Sequence, residues 1–174
     1  MLMRALSPRA VMKPIALIWL VSLLVMAGRP APVVAQAGGA GQDLAVIVHP
    51  DVPVDNLTYA ELRRLLLGDR EFWASGLRVT LLIRAPIAHE RDAVVRDACQ
   101  MTEAQFRQHW IGKVFRADTA NGPKIVYSAE MALDQVTRTP GALTFVAASA
   151  AAGKGGKILK IDGKLPGQPG YKIR

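Results

Sequence analysis

Segments with short apolar runs alternate along this chain with segments whose apolar residues have helical spacing. This alternation constrains the fold more than any other feature of the sequence. Short runs that are apolar throughout are typical of buried strands. Five segments are built around short apolar runs of this kind: Asp43–Pro50, Arg78–Arg84, Lys124–Tyr127, Ala142–Ala147 and Lys157–Asp162. Between them, apolar residues recur at helical spacing. Strands that alternate with helices predict an α/β domain with a mixed, mostly parallel sheet flanked by helices.

Three predicted helices carry start signals. Thr58 and Glu61 have the spacing of a capping box, in which each side chain bonds the other residue's backbone N–H, and so do Thr102 and Gln105. Ser128 is a typical N-cap of a later helix. The side chains expected to pack in the core are Leu62, Leu65, Leu66, Phe72, Trp73, Phe106, Trp110, Ile111 and Val114.

The first 37 residues have the composition of an export signal. A basic start precedes the apolar run Ile15–Ala27, and Ala35-Gln36-Ala37 then suits signal peptidase. A retained membrane anchor is less favoured, because a spanning helix needs about 20 apolar residues and this run is shorter. We therefore expect a cleaved signal peptide at residues 1–37, a flexible leader at 38–42, one domain at 43–174, and a periplasmic location.

Charge and cysteine usage narrow the classes of function. Loss of residues 1–37 removes four of the 22 basic residues and none of the 14 acidic ones, so the formal charge falls from +8 to +4. The remaining basic residues are mostly scattered, which argues against nucleic acid as a partner. Cys99 is the single cysteine, so no internal disulfide is possible, and its apolar helical face favours burial. The sequence has no metal-ligand spacing and no nucleophile motif, so we predict no metal, no cofactor and no enzymatic activity.

The turn after the second strand carries the most informative polar residues. In the stretch Arg84–Asp92 (RAPIAHERD), an arginine ends a strand and a helix begins a few residues later. Free backbone N–H groups and the positive end of the helix dipole converge at such a junction, which is a common way to bind an anion. The sequence therefore points to an anion-binding loop, with a histidine and a glutamate inside the turn.

Taken in order, four segments resemble a known family. They are VIVHPDVPVDNLTYAELRRLLLGDREFW, VTLLIRAPIAHERDAVV, PGALTFVAAS and KILKIDGKLPG. Together they are similar to the second lobe of the periplasmic phosphate-binding proteins of ABC transporters, which have a type II periplasmic binding fold. The resemblance covers Asp43–Arg174 and implies non-covalent solute recognition in a cleft between two lobes. Because the first lobe has no counterpart here, the chain resembles one wall of a clamp that would close on a partner or a second copy.

The resemblance also implies five site residues. In the family, the phosphate loop of this lobe has an arginine, three further residues, and then serine, glycine, threonine and arginine at the start of a helix. With the same spacing, Arg84 and Arg91 match, whereas Ala88, His89 and Glu90 replace the serine, glycine and threonine. The replacements remove both hydroxyls and add a carboxylate. A carboxylate about 4 Å from a bound anion repels it by a few kcal/mol at an effective dielectric constant near 20.

Three interpretations of this loop remain open. In the first, Glu90 is only a favourable acid in the first turn of a helix, and Arg84 is solvated or paired elsewhere. In the second, Glu90 folds into the loop and pairs with Arg84 as an internal anion. In the third, His89 and Arg91 bind a different ligand, such as a carboxylate, while Glu90 turns outward.

The function predicted from the sequence is that of an exported solute-binding-like protein that recognises an oxyanion or another small anion. The alternative is a periplasmic interaction or accessory module that retains the fold without binding a solute. The partners expected in either case are a membrane transporter, a sensor protein or a second copy of the chain.

Overall fold

The computed structural model describes residues 43–153 and 155–174, so the predicted signal peptide and leader lie outside the described residues. The strands are β1 (Leu44–Val48), β2 (Asn56–Leu57), β3 (Thr80–Arg84), β4 (Lys124–Val126), β5 (Ala142–Ala147), β6 (Lys157–Ile158) and β7 (Lys160–Ile161). The helices are α1 (Tyr59–Leu66), α2 (His89–Ala93), α3 (Glu103–Phe115), α4 (Ala129–Arg138) and α5 (Ala148–Ala151), and a π-helical turn (Val94–Ala98) continues α2. In this part of the chain no helix has the length and hydropathy needed to cross a membrane.

The main sheet has the strand order β4-β3-β5-β1-β6. β3 lies parallel to β4 and β5, whereas β1 is antiparallel to both β5 and β6. Four of its five strands therefore run in one direction, which confirms the predicted mixed, mostly parallel sheet. The fifth predicted strand divides: β6 joins this sheet, and β7 pairs with β2 in a separate parallel ladder. The sequence pattern did not predict β2.

The apolar strands are apolar throughout because both faces of the sheet are covered. On β1, Leu44, Val46 and Val48 belong to a core cluster that includes side chains of α1, the π-helical turn and α3. Ala45 and Ile47 of the same strand point to the opposite cluster, which includes side chains of α4 and α5. A strand between two layers of helices has no face that favours polar side chains.

The predicted helix starts are confirmed. Thr58 accepts a hydrogen bond from the N–H of Glu61 at 3.2 Å, and the Glu61 carboxylate accepts from the N–H of Thr58 at 2.8 Å. Thr102 and Gln105 form the same reciprocal pair at 3.2 and 2.9 Å. Ser128 caps α4 by accepting from a backbone N–H in its first turn at 3.0 Å.

Three of the predicted core residues are exposed. Phe72 is 52% exposed, whereas the neighbouring Trp73 is 2% exposed and donates its indole N–H to the carbonyl of Gly141 at 2.9 Å. Ile111 and Val114 of α3 are 55% and 44% exposed, although Phe106 and Trp110 earlier in the helix are buried. Ile111 lies over an open groove beside β4, the edge strand of the sheet, and not over a covered part of the core.

Gly141, in the turn before β5, is expected to tolerate no side chain. Its φ is +76°, and a Cβ at this position would lie 2.2 Å from the carbonyl oxygen of Arg78. Gly141→Ala should lower the free energy of unfolding by more than about 2 kcal/mol, because the cost of the strained backbone and the cost of the steric clash add together. Gly76 is the matched control, since its φ is +82° but no atom lies within 4 Å of the added Cβ. Urea denaturation should show a cost of about 1 kcal/mol for Gly76→Ala, and equal costs for the two variants would contradict the packing described.

Candidate anion site

The loop between β3 and α2 lies at the carboxyl edge of the parallel strands. Arg84 is the last residue of β3, and α2 begins five residues later with Ala88 as its N-cap. Two backbone hydrogen bonds fix the loop: Ala85 N–H donates to the carbonyl of Val126 at 3.1 Å, and Ala88 N–H donates to the carbonyl of Ala85 at 2.9 Å. This edge is the usual ligand-binding edge of open α/β sheets.

Arg84 is a mostly buried arginine with incomplete hydrogen bonding. Its side chain is 16% exposed, and its Nε lies 3.8 Å from Oε2 of Glu90, which is too far for a hydrogen bond. Within residues 43–153 and 155–174, the buried Nε and Nη1 atoms of Arg84 meet no hydrogen-bond acceptor. A buried donor without an acceptor costs about 1–3 kcal/mol. The structure thus places Glu90 beside Arg84, as the second interpretation requires, but the two side chains form an ion pair without a hydrogen bond.

Arg91 is held by the protein itself. It is 7% exposed, and its Nε and Nη2 donate to the two carboxylate oxygens of Glu103 at 2.9 and 2.7 Å. Its Nη1 donates to the carbonyl of Arg84 at 3.1 Å, and its guanidinium lies over the ring of Phe106. This bidentate pair is the strong form of an arginine–carboxylate contact. Arg91 therefore anchors the loop to α3 and to the end of β3.

The other three predicted site residues contribute less through their side chains. Ala88 forms no side-chain cap, and His89 is exposed. The N–H groups of His89 and Glu90 lie in the first turn of α2, where no intrahelical acceptor is available. Together with the buried guanidinium of Arg84, these two N–H groups are the donors that the loop offers to an anion.

The sequence did not single out two acids that matter at this edge. Glu103 is the partner of Arg91, but no local pattern connects residues twelve positions apart. Asp43 is 1% exposed beside the end of β5, and its Oδ2 accepts from the N–H of Gly167 at 2.6 Å. Its Oδ1 lies 3.2 Å from Nε of Arg174, an ion pair without hydrogen-bond geometry. The sequence feature that could have pointed to Asp43 is its position directly before the fully apolar strand β1.

Cys99 and the histidines have structural surroundings. Cys99 is fully buried, and burial raises the pKa of its thiol to about 12. His109 Nε2 lies 2.9 Å from the carbonyl of Leu67, and His49 Nδ1 accepts from the N–H of Asp51 at 3.1 Å. No cluster of three or more potential metal ligands occurs among the residues described. The predicted burial of Cys99 is confirmed.

Glu103→Ala should destabilise the fold because it leaves the buried Arg91 guanidinium without its carboxylate. We expect a loss of about 2 kcal/mol, below the 3–5 kcal/mol typical of a fully buried pair, since Glu103 is one-third exposed. Asp134→Ala is the matched control, because its ion pair with Arg138 is exposed on both sides and should contribute within about 0.5 kcal/mol. Thermal and urea unfolding measure both changes, and a neutral Glu103→Ala would show that Arg91 does not anchor the loop.

Cys99 should be unreactive in the folded protein. At pH 8 its raised pKa keeps the thiol protonated, and burial denies access to a reagent. Modification by a thiol-reactive chromogenic disulfide should therefore proceed only as the protein unfolds, and its rate should rise with urea. The same reagent applied in full denaturant serves as the control, and rapid modification under native conditions would refute the burial.

Comparison with known proteins identifies the fold. No protein-family model and no curated protein matches the sequence. Solved structures do match: a phosphate ABC transporter substrate-binding protein from Clostridium perfringens with bound phosphate is 16% identical, with a TM-score of 0.59, over 74% of this chain and 49% of that protein. PstS from Borrelia burgdorferi is 17% identical, with a TM-score of 0.57, over 71% and 49% of the two chains. An ABC-type phosphate transport receptor from Vibrio cholerae is 16% identical, with a TM-score of 0.57, over 74% and 50%.

The chain spans about half the length of each of these proteins. At this level of identity the likeness concerns the fold, and it agrees with the resemblance that the sequence carries. The described residues therefore have the fold of a single lobe of the phosphate ABC transporter substrate-binding proteins.

Proposed function

We propose that the chain is an exported, periplasmic solute-binding-like protein whose loop after β3 recognises a small oxyanion or carboxylate by non-covalent contacts. The observation that carries the proposal is the buried guanidinium of Arg84, whose Nε and Nη1 have no acceptor among the described residues. The shared fold adds support, since one of the similar structures holds phosphate.

An anion would complete the hydrogen bonding that Arg84 lacks. Hydrogen bonds between a guanidinium and an ionised oxygen are about twice as strong as neutral ones, and the planar fork of arginine suits a carboxylate or oxyanion. The N–H groups of His89 and Glu90 could complete the coordination from the start of α2. Ala88 offers no hydroxyl, so fewer donors are available than in the loop of the phosphate-binding family.

Glu90 limits the charge of the anion. Its carboxylate lies 3.8 Å from Nε of Arg84 and already neutralises part of the positive charge. A second carboxylate or a singly charged oxyanion would meet repulsion of a few kcal/mol from Glu90 at an effective dielectric constant near 20, and a dianion about twice as much. The proposed ligand is therefore a small monovalent anion, and Glu90 acts as its internal competitor.

Arg91 has a positioning role in this proposal. Its donors are directed to Glu103 and to the carbonyl of Arg84, so it fixes the loop and leaves direct contact with the anion to Arg84. The scheme requires recognition alone, without a catalytic step. Because the described residues have the fold of a single lobe, we further propose that a partner, such as a transporter or sensor protein, or a second copy, covers the anion from the other side.

The alternative is an interaction or accessory module that retains the fold and binds no solute. One observation favours it: the ion pair of Glu90 with Arg84 already satisfies the charge of the site. The two functions differ in a measurable way, because only the first predicts an affinity that depends on Arg84 and Glu90.

Calorimetry with acetate, sulfate and phosphate tests the proposal. Glu90→Gln should bind a monovalent anion at least about tenfold more tightly than the unaltered protein, because the repulsion is removed. Asp92→Asn is the matched control, since this acid lies in the same helix but pairs with Arg96 on the exposed face, and it should leave the affinity unchanged. Arg84→Met should abolish anion binding both in the otherwise unaltered protein and in combination with Glu90→Gln.

The double variant Ala88→Ser with Glu90→Thr restores the hydroxyls of the family's loop and should bind phosphate. If neither the unaltered protein nor these variants show heat or a thermal shift with any anion, the solute-binding proposal is wrong and the interaction module is favoured. Circular dichroism of each variant checks that the fold is retained.

A further inference from the structure

Many of the exposed apolar side chains lie on α3 and β4 or in the loop after β3. Nine large apolar side chains in the described part of the chain are exposed, and six of them lie in α3, in β4 or directly after it, or in the loop that follows β3. We call these six the β4 patch: Ile87, Ile111, Val114, Phe115, Ile125 and Tyr127. Ile87 is 98% exposed and Phe115 is 89% exposed. Exposed apolar side chains gathered on neighbouring elements are typical of an interaction site.

The patch borders a groove between α3 and β4. The groove encloses about 360 Å³, and Ile111 and Ile125 line it from the helix and the strand, with Pro86 and Pro123 at its sides. Ile111, Val114 and Phe115 share one face of α3 at spacings of three and four residues. The apolar stripe that buries Phe106 and Trp110 therefore continues into the exposed last turns of α3, as a helix does when something else covers its far end.

No described strand pairs with the outer side of β4. Among the described strands β4 pairs with β3 alone, and the carbonyl of Val126 faces β3 because it accepts from Ala85 N–H. Backbone groups alternate in direction along a strand, so the N–H and carbonyl of Ile125 and the N–H of Tyr127 point away from the sheet. An unpaired, apolar edge of this kind is a template for another strand.

We propose that the β4 patch binds a second copy of this chain, with β4 paired antiparallel to the partner's β4 across a twofold axis. A row of alternating donors and acceptors is complementary to itself in this arrangement, as a twofold interface requires. The product is a continuous sheet of ten strands, in which the α3 stripe of each copy lies beside that of the other.

The sequence of β4 selects one register. When Val126 lies on the twofold axis, Ile125 exchanges hydrogen bonds with the partner's Tyr127. In this register Lys124 lies opposite the partner's Ser128, so the two Lys124 side chains stay apart. With Ile125 on the axis, Tyr127 would need an N–H from the partner's Pro123, which has none. With Tyr127 on the axis, Ile125 would lie opposite the partner's Ala129, where α4 begins.

Area and edge chemistry favour a second copy as the occupant. The exposed surface of the β4 patch is on the order of 700 Å², close to the roughly 800 Å² that each partner contributes to a standard interface. The opposite edge strand, β6, is two residues long and both of its residues are half-buried, whereas Lys124 and Ile125 of β4 are exposed. Of the two edges of this sheet, the β4 edge is therefore the more open.

Sedimentation equilibrium of the protein expressed from the full chain tests the oligomeric state. We expect a dimer with a dissociation constant in the micromolar range or below. Phe115→Glu and Ile111→Lys should each raise this constant at least about tenfold while circular dichroism stays unchanged, because both side chains are exposed in the monomer. Phe72→Glu is the matched control, since Phe72 is 52% exposed and lies outside the β4 patch, and it should leave the dimer intact.

Hydrogen exchange identifies the strand involved. Peptides that contain Ile125 and Tyr127 should become protected as the concentration rises through the dissociation constant, and peptides that contain β6 should not. A monomer at all concentrations, or a dimer that persists in Phe115→Glu without protection of β4, would overturn the proposal. Monomers that capture an added extended peptide at β4 would also overturn it in favour of a different partner. Anion binding is measured separately, so failure of either proposal leaves the other standing.

Discussion

The geometry of the candidate site depends on one buried arginine. Arg91 joins the loop after β3 to α3 through Glu103, and it joins the same loop to the end of β3 through the carbonyl of Arg84. Both partners must be present in the low-dielectric interior, because an unpaired buried guanidinium is costly. The pair therefore fixes the loop in one position, and that position determines where Arg84 lies and how close Glu90 comes to it. Arg91, which the sequence suggested as a ligand of the anion, instead holds the loop of the candidate site in position.

Local signals in the sequence predicted much of the fold. The capping boxes at Thr58 and Thr102 rest on interactions between near neighbours, and the apolar strands are recognisable from their local composition. The structure confirms both. The exposure of Ile111 and Val114 could not be predicted, because it depends on which strand forms the edge of the sheet, and strand order is set by contacts far apart in sequence. The same limit applies to the partner of Arg91, since Glu103 lies in a different helix. Spacing located the loop, but only the tertiary structure shows which arginine keeps free donors.

The two proposals meet at the loop after β3. This loop supplies Arg84 and Glu90 to the candidate anion site at the carboxyl ends of the parallel strands, and it supplies Ile87 to the β4 patch along the side of the sheet. Pairing through β4 would place the two loops towards opposite ends of the extended sheet, because antiparallel neighbours present their carboxyl ends in opposite directions. A dimer of this kind would carry two separate anion sites, each with its own Arg84 and Glu90. The lobe would then bury its open sheet edge against a second copy.

The central claim is that Arg84 keeps a buried guanidinium edge for a small anion that Glu90 opposes. The most direct measurement follows the Nε–Hε signals of Arg84 and Arg91 by nitrogen–proton NMR while acetate is added to the unaltered protein and to Glu90→Gln. The account predicts a saturable shift of the Arg84 signal, at lower acetate concentrations in Glu90→Gln, and a constant Arg91 signal because Glu103 holds it. An Arg84 signal that acetate leaves unchanged in both proteins would contradict the account.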